Sequence, residues 1–313
     1  MGKKKLLIAV PATQQQKKTI EEVASSYEVV TLESIGENVS DVEIMYGWEQ
    51  IVGDRILQDK ASGLKWLQSE SAGIDNLDLA LIKEKNIILT NASGIHGHQM
   101  SETILGMLFI YTRKLKESIQ FQETNTWQVP SGLTDLNGKS VLILGTGQVG
   151  TRLAKLLQAL ELTVYGVNRN GREVDYFDQT YTQNDFEQHL DKMDIVINLL
   201  PETPATHHLF DRRLFNKMKD QVMFVNAGRG GAVKTEDLIE ACKEGGMAFA
   251  GLDVFEEEPL PSTSPLWDVD NIFITPHTSG KSDNYYKRLF PIFMENLESY
   301  LTTQEVVINK IGE

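Results

Sequence analysis

The sequence predicts an α/β protein made of two doubly wound parallel-sheet domains. Three observations predict it. At 313 residues the chain is long enough for about two domains. Short β-rich apolar runs recur, each followed by a helical pattern, which implies parallel strands with helices on both faces. One of these strand-to-helix turns is rich in glycine at fixed spacing.

The first series of strands reads Leu6–Ala9, Glu28–Thr31, Val42–Met45, Leu64–Leu67 and Ile87–Leu89, with amphipathic stretches such as Lys17–Ser25 and Leu77–Lys83 between them. A long helical pattern runs from Gln99 to about Gln122, and a loop-like segment covers Asn125–Asn137. The second series reads Val141–Leu144, Leu162–Val167, Ile195–Leu199, Met223–Asn226, Phe249–Asp253 and Ile272–Thr275, and a last helix spans about Ser282 to Thr302. The expected division is residues 1–98 plus 281–313 as one domain and 99–280 as the other. The two long helices would cross between the domains, with the active site in the cleft.

Composition narrows the function classes. Hydrophobic residues at 41% and charged residues at 24% are those of a globular chain, which excludes disorder. The formal net charge of −14 excludes broad binding to nucleic acid or anionic lipid. It leaves room for an anionic small molecule held by a few arginines. One cysteine, Cys242, excludes an intrachain disulfide and a cysteine zinc cluster, and its place in an amphipathic helix predicts inert packing. The apolar run Leu6–Val10 after three lysines is too short for a signal peptide, and no stretch approaches a membrane span. A soluble cytoplasmic protein is expected, with no membrane partner.

The glycine turn is Gly145-Thr146-Gly147-Gln148-Val149-Gly150, after an aliphatic strand and before a helix carrying Leu153, Leu156, Leu157 and Leu160. That context makes it a dinucleotide fingerprint and the second domain a Rossmann domain. Gly145 allows the tight turn, Gly147 lets a pyrophosphate approach the backbone, and Gly150 lets helix and strand pack closely. The helix N-terminus offers N–H groups and a positive dipole end to phosphates. NAD-binding versions end the next strand with an acid for the ribose 2′-hydroxyl. Here Asn168 stands in that place, with Arg169 and Arg172 after it. An uncharged donor followed by two arginines suits a 2′-phosphate, so NADP(H) is the expected preference and NAD(H) the second option.

Three further segments follow strands of the same sheet: Asn226-Ala227-Gly228-Arg229-Gly230, Leu252-Asp253-Val254-Phe255-Glu256-Glu257-Glu258-Pro259, and Thr275-Pro276-His277. Their side chains should meet at the carboxyl edge, where such sheets bind ligands. Glu256 and Glu257 read as solvated. His96 and His98 lack an identifiable third ligand, so no metal site is expected.

The order GTGQVG, NAGRG, LDVFEEEP, TPH, with a Ser71–Asp75 SAGID loop and a His96–Glu102 helix opening, resembles the D-isomer-specific 2-hydroxyacid dehydrogenases over essentially the whole chain. The resemblance implies a flavodoxin-like substrate domain and a catalytic set of Arg229, Glu258 and His277. His277 would be the general acid for reduction of a 2-oxo acid, because an imidazole exchanges protons near neutral pH. Glu258 would hold the far ring nitrogen and fix the tautomer. Arg229 would grip the substrate carboxylate with its fork of donors. The resemblance also implies carboxylate binding by the Ala72 and Gly73 backbone. It implies cofactor contacts from Pro201, Thr206, Ala227 and Gly280, and a nicotinamide-amide contact from Asp253.

Trp48, after the strand ending at Met45, could cap the substrate pocket or pack in the core. INLLPETPAT, SPLWDVDNIFITPH and HGHQMSE resemble the glyoxylate/hydroxypyruvate reductase branch, so small 2-oxo acids are the expected substrates. A homodimer is implied, with the Gln99–Gln122 helix and the loop around Trp127 contributing. The alternative is a dinucleotide-sensing regulator or co-repressor on the same fold, which could keep the catalytic residues. A chain ending near Glu313, with no appended regulatory domain expected, favours the enzyme. Formate dehydrogenases, which resemble the family distantly, usually carry Gln at the position of Glu258.

Overall fold

The computed structural model describes residues 3–74 and 76–312. Asp75, the end of the SAGID loop, lies outside the described residues. The chain divides into two compact units, Met1–Ile95 with Ser282–Glu313, and His96–Lys281. No helix among the described residues is long and apolar enough to cross a membrane.

The first unit opens with β1 (Lys5–Ile8), α1 (Gln14–Val23), β2 (Glu28–Thr31), β3 (Val42–Tyr46), α2 (Gln50–Gln58), β4 (Trp66–Gln68), α3 (Leu79–Glu84) and β5 (Ile88–Thr90). Its strands lie in the order β2-β1-β3-β4-β5, every pair parallel. Alternation along each strand feeds two cores. Leu6, Ile8, Ile44, Tyr46 and Trp66 enter one, while Leu7, Met45, Leu67 and Leu89 enter the other. A capping box starts α1: the Thr13 hydroxyl accepts from the Gln16 N–H at 3.2 Å, and the Gln16 side chain accepts from the Thr13 N–H at 2.8 Å.

Of the two places offered for Trp48, pocket cap and core, the structure shows core packing: Trp48 joins the second core at 8% exposure. Helix α2 begins two residues later and brings Gly53 under the indole, where an added Cβ would come within 2.6 Å of the ring. The indole N–H donates to Gln50 Oε1 at 3.2 Å.

The second unit begins with α4 (Gly97–Thr112) and α5 (Leu115–Glu123). The sequence pattern implied one helix from Gln99 to Gln122. Lys114 breaks it with a left-handed φ of 52°. The two pieces have different environments: α4 buries Ile104, Met107 and Leu108, whereas α5 buries nothing within the chain. Hydrophobic periodicity does not register a single left-handed residue.

The unit continues with β6 (Ser140–Leu144), α6 (Gln148–Ala159), β7 (Thr163–Asn168), β8 (Gln179–Thr182), β9 (Ile195–Asn198), α7 (Arg212–Phe215), β10 (Val222–Asn226), α8 (Thr235–Lys243), β11 (Met247–Leu252) and β12 (Ile272–Ile274). The strand order is β12-β11-β10-β9-β6-β7-β8, all parallel. β8 was not apparent in the sequence, because Gln-Thr-Tyr-Thr is a short polar edge strand. Leu142 and Leu144 of β6 enter the core on one face, Val141 and Ile143 the other. β6 pairs with both β7 and β9, so the sheet's direction of winding reverses there, and such a switch point opens a ligand crevice at the strands' carboxyl ends. Cys242 is buried against Met247, and burial pushes its thiol up to about 12, in keeping with inert packing.

The last helix, α9 (Tyr285–Thr303), belongs to the first unit. Phe293 stacks on Tyr46 with ring centroids 3.9 Å apart. Buried Asn296 accepts the N–H groups of Val307 and Ile308, at 2.9 and 2.8 Å, and so fastens the C-terminal segment to the helix.

Candidate active site

The glycine turn has the geometry that a dinucleotide requires. Gly145 sits at φ +111°, and a Cβ on Gly150 would lie 2.0 Å from the Gly145 carbonyl oxygen. No side chain could stand at Gly150 without pushing α6 off β6. Gly147, the residue before α6, has nothing within 4 Å of an added Cβ, so its backbone faces open space. Gln148, exposed, and Val149, half-buried, open the first turn of α6, with its free N–H groups. Thr146 is 5% exposed, and its hydroxyl accepts from Asn168 Nδ2 at 3.2 Å. These residues fit a bound dinucleotide pyrophosphate.

Asn168, the last residue of β7, organises the loop after it. Its Nδ2 donates to the Arg172 carbonyl at 2.8 Å, and its Oδ1 accepts from the Arg172 N–H at 3.1 Å and the Asn170 N–H at 3.3 Å. The loop closes on itself, and Arg172 lines a cavity beside Thr146, Gly147 and Gln148. Arg169 is exposed and does not line it.

Arg229 sits three residues past β10 on a tightly fixed loop. Asn226 and Asn198, both fully buried, end β10 and β9. Asn226 Oδ1 accepts from Asn198 Nδ2 at 2.9 Å and from the Gly228 N–H at 3.2 Å, while its Nδ2 donates to the Arg229 carbonyl at 3.0 Å. The Arg229 guanidinium donates to the Gly228 carbonyl at 2.9 Å. A Cβ on Gly230 would lie 1.8 Å from the Phe255 carbonyl oxygen, so this loop presses directly on the one leading to Glu258. The sequence reading missed both asparagines. Their signal is a polar residue at the buried last position of an otherwise apolar strand. Ala227 is 3% exposed, packed with the core, and its N–H donates to the Asn198 carbonyl at 3.1 Å.

His277 and Glu258 come together across 19 residues. The imidazole Nδ1 lies 2.6 Å from Glu258 Oε2, and Glu258 Oε1 accepts from the Phe255 N–H at 2.9 Å. The carboxylate is held from its far side, and Nε2 is the ring nitrogen left away from it. His277 has φ +50°, uncommon for a residue with a Cβ.

Asp253 stands behind this pair. It is fully buried, and its carboxylate serves the chain itself. Oδ1 accepts from the Thr275 hydroxyl at 2.6 Å and from the Thr278 N–H at 2.9 Å, and Oδ2 accepts from the Ser279 N–H at 3.1 Å. It holds the segment that carries His277. Thr206 stands on a self-braced turn. It is 6% exposed, and its hydroxyl donates to the Pro201 carbonyl at 2.7 Å and accepts from the Thr203 N–H at 2.8 Å, bracing its own turn. Pro201 stays exposed on that turn. Glu256, expected to be solvated, accepts from the Thr235 N–H at 2.8 Å and pairs with His208 at 2.6 Å.

His96, set aside in the sequence as a poor metal ligand, lies beside this site. Its ring packs on Gly280, where an added Cβ would come 3.2 Å from Cδ2. Burial, helped by the charge of Arg229, pulls its pKa down to about 4. Gln99, one turn into α4, donates to the Gly280 carbonyl at 3.0 Å. In the first unit, the Ala72 carbonyl accepts from Asn91 Nδ2 at 2.8 Å, and Ala72 and Gly73 are partly exposed.

Comparison with known proteins agrees with this architecture. The family model described as D-isomer specific 2-hydroxyacid dehydrogenase, NAD binding domain, matches residues 105–279. The chain is 31% identical to a glyoxylate reductase of Thermofilum pendens over 79% of this chain and 75% of that one. It is 32% identical to a glyoxylate/hydroxypyruvate reductase B of Escherichia coli over 72% of this chain and 71% of that one. A solved D-isomer specific 2-hydroxyacid dehydrogenase family protein from Aeromonas salmonicida superposes with a TM-score of 0.88 at 32% identity, covering 99% of each chain. Two parallel sheets, the glycine turn opening α6, and these matches lead to one assignment: the chain belongs to the D-isomer specific 2-hydroxyacid dehydrogenases and is an NAD(P)-dependent oxidoreductase of 2-hydroxy and 2-oxo acids.

Proposed function

We propose that this enzyme reduces small 2-oxo acids, glyoxylate and hydroxypyruvate ahead of branched ones, to D-2-hydroxy acids, and runs the reverse oxidation. The observation that carries the catalytic reading is the 2.6 Å contact between His277 Nδ1 and Glu258 Oε2. A carboxylate on Nδ1 accepts the Nδ1–H and fixes that tautomer, so the proton available for transfer is the one Nε2 carries in the imidazolium. His277 then gives that proton to the carbonyl oxygen as negative charge develops there. Arg229 binds the substrate carboxylate and polarises the carbonyl. Ala72 and Gly73 contribute backbone N–H groups to the carboxylate. The reduced nicotinamide supplies the hydride when bound. Asp253, Asn226 and Asn198 set the loops on which Arg229 and His277 stand.

The narrower substrate choice is supported by relatives named glyoxylate reductase and glyoxylate/hydroxypyruvate reductase. NADPH preference is supported by an uncharged Asn168 where an acid would repel a 2′-phosphate, and by Arg172 in the adjoining cavity. A panel of 2-oxo acids assayed with NADH and NADPH at fixed ionic strength tests both. A specificity constant rising with side-chain bulk would refute the substrate choice, and equal constants for the two cofactors would refute the cofactor choice. Absence of turnover with every 2-oxo acid would favour the regulatory reading.

The homodimer is proposed on an exposed apolar stretch. Trp127 is 102% exposed, Val129 75%, Ile119 58% and Leu133 43%, all on or after α5. Large apolar side chains gathered on one segment suit a second copy of the chain. A sedimentation mass of one 35.2 kDa chain at micromolar concentration would refute it.

A further inference from the structure

Segment 69–73 follows β4, and three consecutive carbonyls along it are each taken by a different donor of the first unit. The Glu70 carbonyl accepts from the Tyr285 hydroxyl, on the first residue of α9, at 2.6 Å across 215 residues of chain. The Ser71 carbonyl accepts from the Ala92 N–H at 3.0 Å, and the Ala72 carbonyl from Asn91 Nδ2 at 2.8 Å, both donors standing just past β5. The Glu70 side chain adds a fourth tie, because its Oε2 accepts from the Trp48 N–H at 2.5 Å. Trp48 is locked in the core between β3 and α2, so this carboxylate is clamped to a rigid junction. Burial pushes the Glu70 carboxyl above its ordinary range, and donation by its own N–H and by that of Trp48 works against the shift. A carboxylate withdrawn from water is tolerable only with such donors. The N–H groups of the same segment are placed differently. Among the described residues no acceptor meets the Ala72 or Gly73 N–H, and both residues are half-buried. Tied carbonyls beside unmet N–H groups make a backbone prepared to bind an anion.

We propose that Glu70 and Tyr285 are positioning residues for the substrate: they fix the segment so that the Ala72 and Gly73 N–H groups stay presented to the carboxylate of the 2-oxo acid. The inference rests on the reading above, in which those N–H groups take that carboxylate. Each side chain acts through the backbone it holds, without touching the substrate. A loosened segment must be ordered when the substrate binds, and that cost is taken from affinity. The carboxylate is unchanged by the reaction, so it is bound alike in the ground state and the transition state. Weakening its site therefore raises KM and leaves kcat nearly as it was.

The test is steady-state kinetics of the intact protein with the 2-oxo acid it reduces fastest. Tyr285→Phe, which deletes one oxygen, and Glu70→Ala should each raise KM for that acid about threefold to tenfold. The kcat and the dinucleotide KM should stay within about twofold. Glu70→Gln should recover most of the loss, since its amide oxygen still accepts from the Trp48 N–H. Calorimetric binding of oxamate, a non-reducible analogue of a 2-oxo acid, to the enzyme–dinucleotide complex should weaken by the same factor as KM rises. Should Glu70→Ala not fold, Tyr285→Phe and Glu70→Gln still decide the matter. An unchanged KM in Tyr285→Phe, with an active wild type, would overturn the positioning role and leave the carboxylate reading standing. So would a Glu70→Gln variant as impaired as Glu70→Ala, or a dinucleotide KM rising in step with that of the acid. A wild type that neither reduces a 2-oxo acid nor binds oxamate would overturn the activity reading, and this inference with it.

Discussion

The His277 backbone N–H donates to the Asp253 carbonyl at 2.8 Å, and the Asp253 carboxylate takes the N–H groups of Thr278 and Ser279 just beyond it. One buried acid therefore fixes the left-handed turn from which the imidazole projects. Asp253→Ala would leave two backbone N–H groups buried without acceptors, a cost of about 2–4 kcal/mol. We expect a lower urea midpoint and a fall in kcat of about 10²-fold, with dinucleotide affinity nearly unchanged. Wild-type stability combined with weakened NADH binding would return Asp253 to a direct cofactor contact.

His277→Gln should lower kcat for reduction by roughly 10²–10⁴, because a neutral amide cannot donate a proton at that position. Arg229→Lys should fail to a similar degree, since one ammonium cannot reproduce the bidentate fork. Stopped-flow rates and a separate measurement of dinucleotide affinity distinguish these effects. Near wild-type turnover in either variant would remove the residue from its assigned role.

Gly230→Ala places a Cβ 1.8 Å from the Phe255 carbonyl oxygen, so the Arg229 loop and the Glu258 loop must separate. Backbone cannot yield as a flexible side chain would. A destabilisation of about 2 kcal/mol or more is expected, with kcat/KM falling further than stability accounts for. Unfolding curves and initial rates at a temperature well below the transition check this. A variant with unaltered stability and activity would show that the two loops do not press on each other in solution.

His96 makes stability depend on pH with a definite sign. Burial and the charge of Arg229 hold its folded pKa at about 4, against about 6.5 for an unfolded histidine. As pH falls the unfolded chain takes up the proton first. The stabilisation is therefore fully present above about pH 6.5 and is lost progressively as pH falls toward 4, by about 2–3 kcal/mol after allowance for partial exposure. His96→Gln should flatten that part of the stability profile relative to wild type. NMR titration of the ring should find it neutral at pH 6, and a midpoint near 6.5 would contradict the burial.

The sequence by itself determined the parallel α/β class and the glycine turn, and its resemblance singled out Arg229, Glu258 and His277. Those features are written in spacing. A strand period of two, a helix period near 3.6 and three glycines at fixed spacing leave the same trace whatever surrounds them. What surrounds a polar or aromatic side chain is decided only when distant segments meet. Asp253 is bonded to Thr275, Thr278 and Ser279, and Thr206 to Pro201 and Thr203, partners that no spacing in the sequence names. Trp48 is buried because α2 turns Gly53 beneath it. The helix break at Lys114 rests on one left-handed residue that no periodicity reports. Backbone geometry is local and legible in one dimension. The partner of a hydrogen-bonding group is not, because burial makes it choose among whatever neighbours the fold supplies.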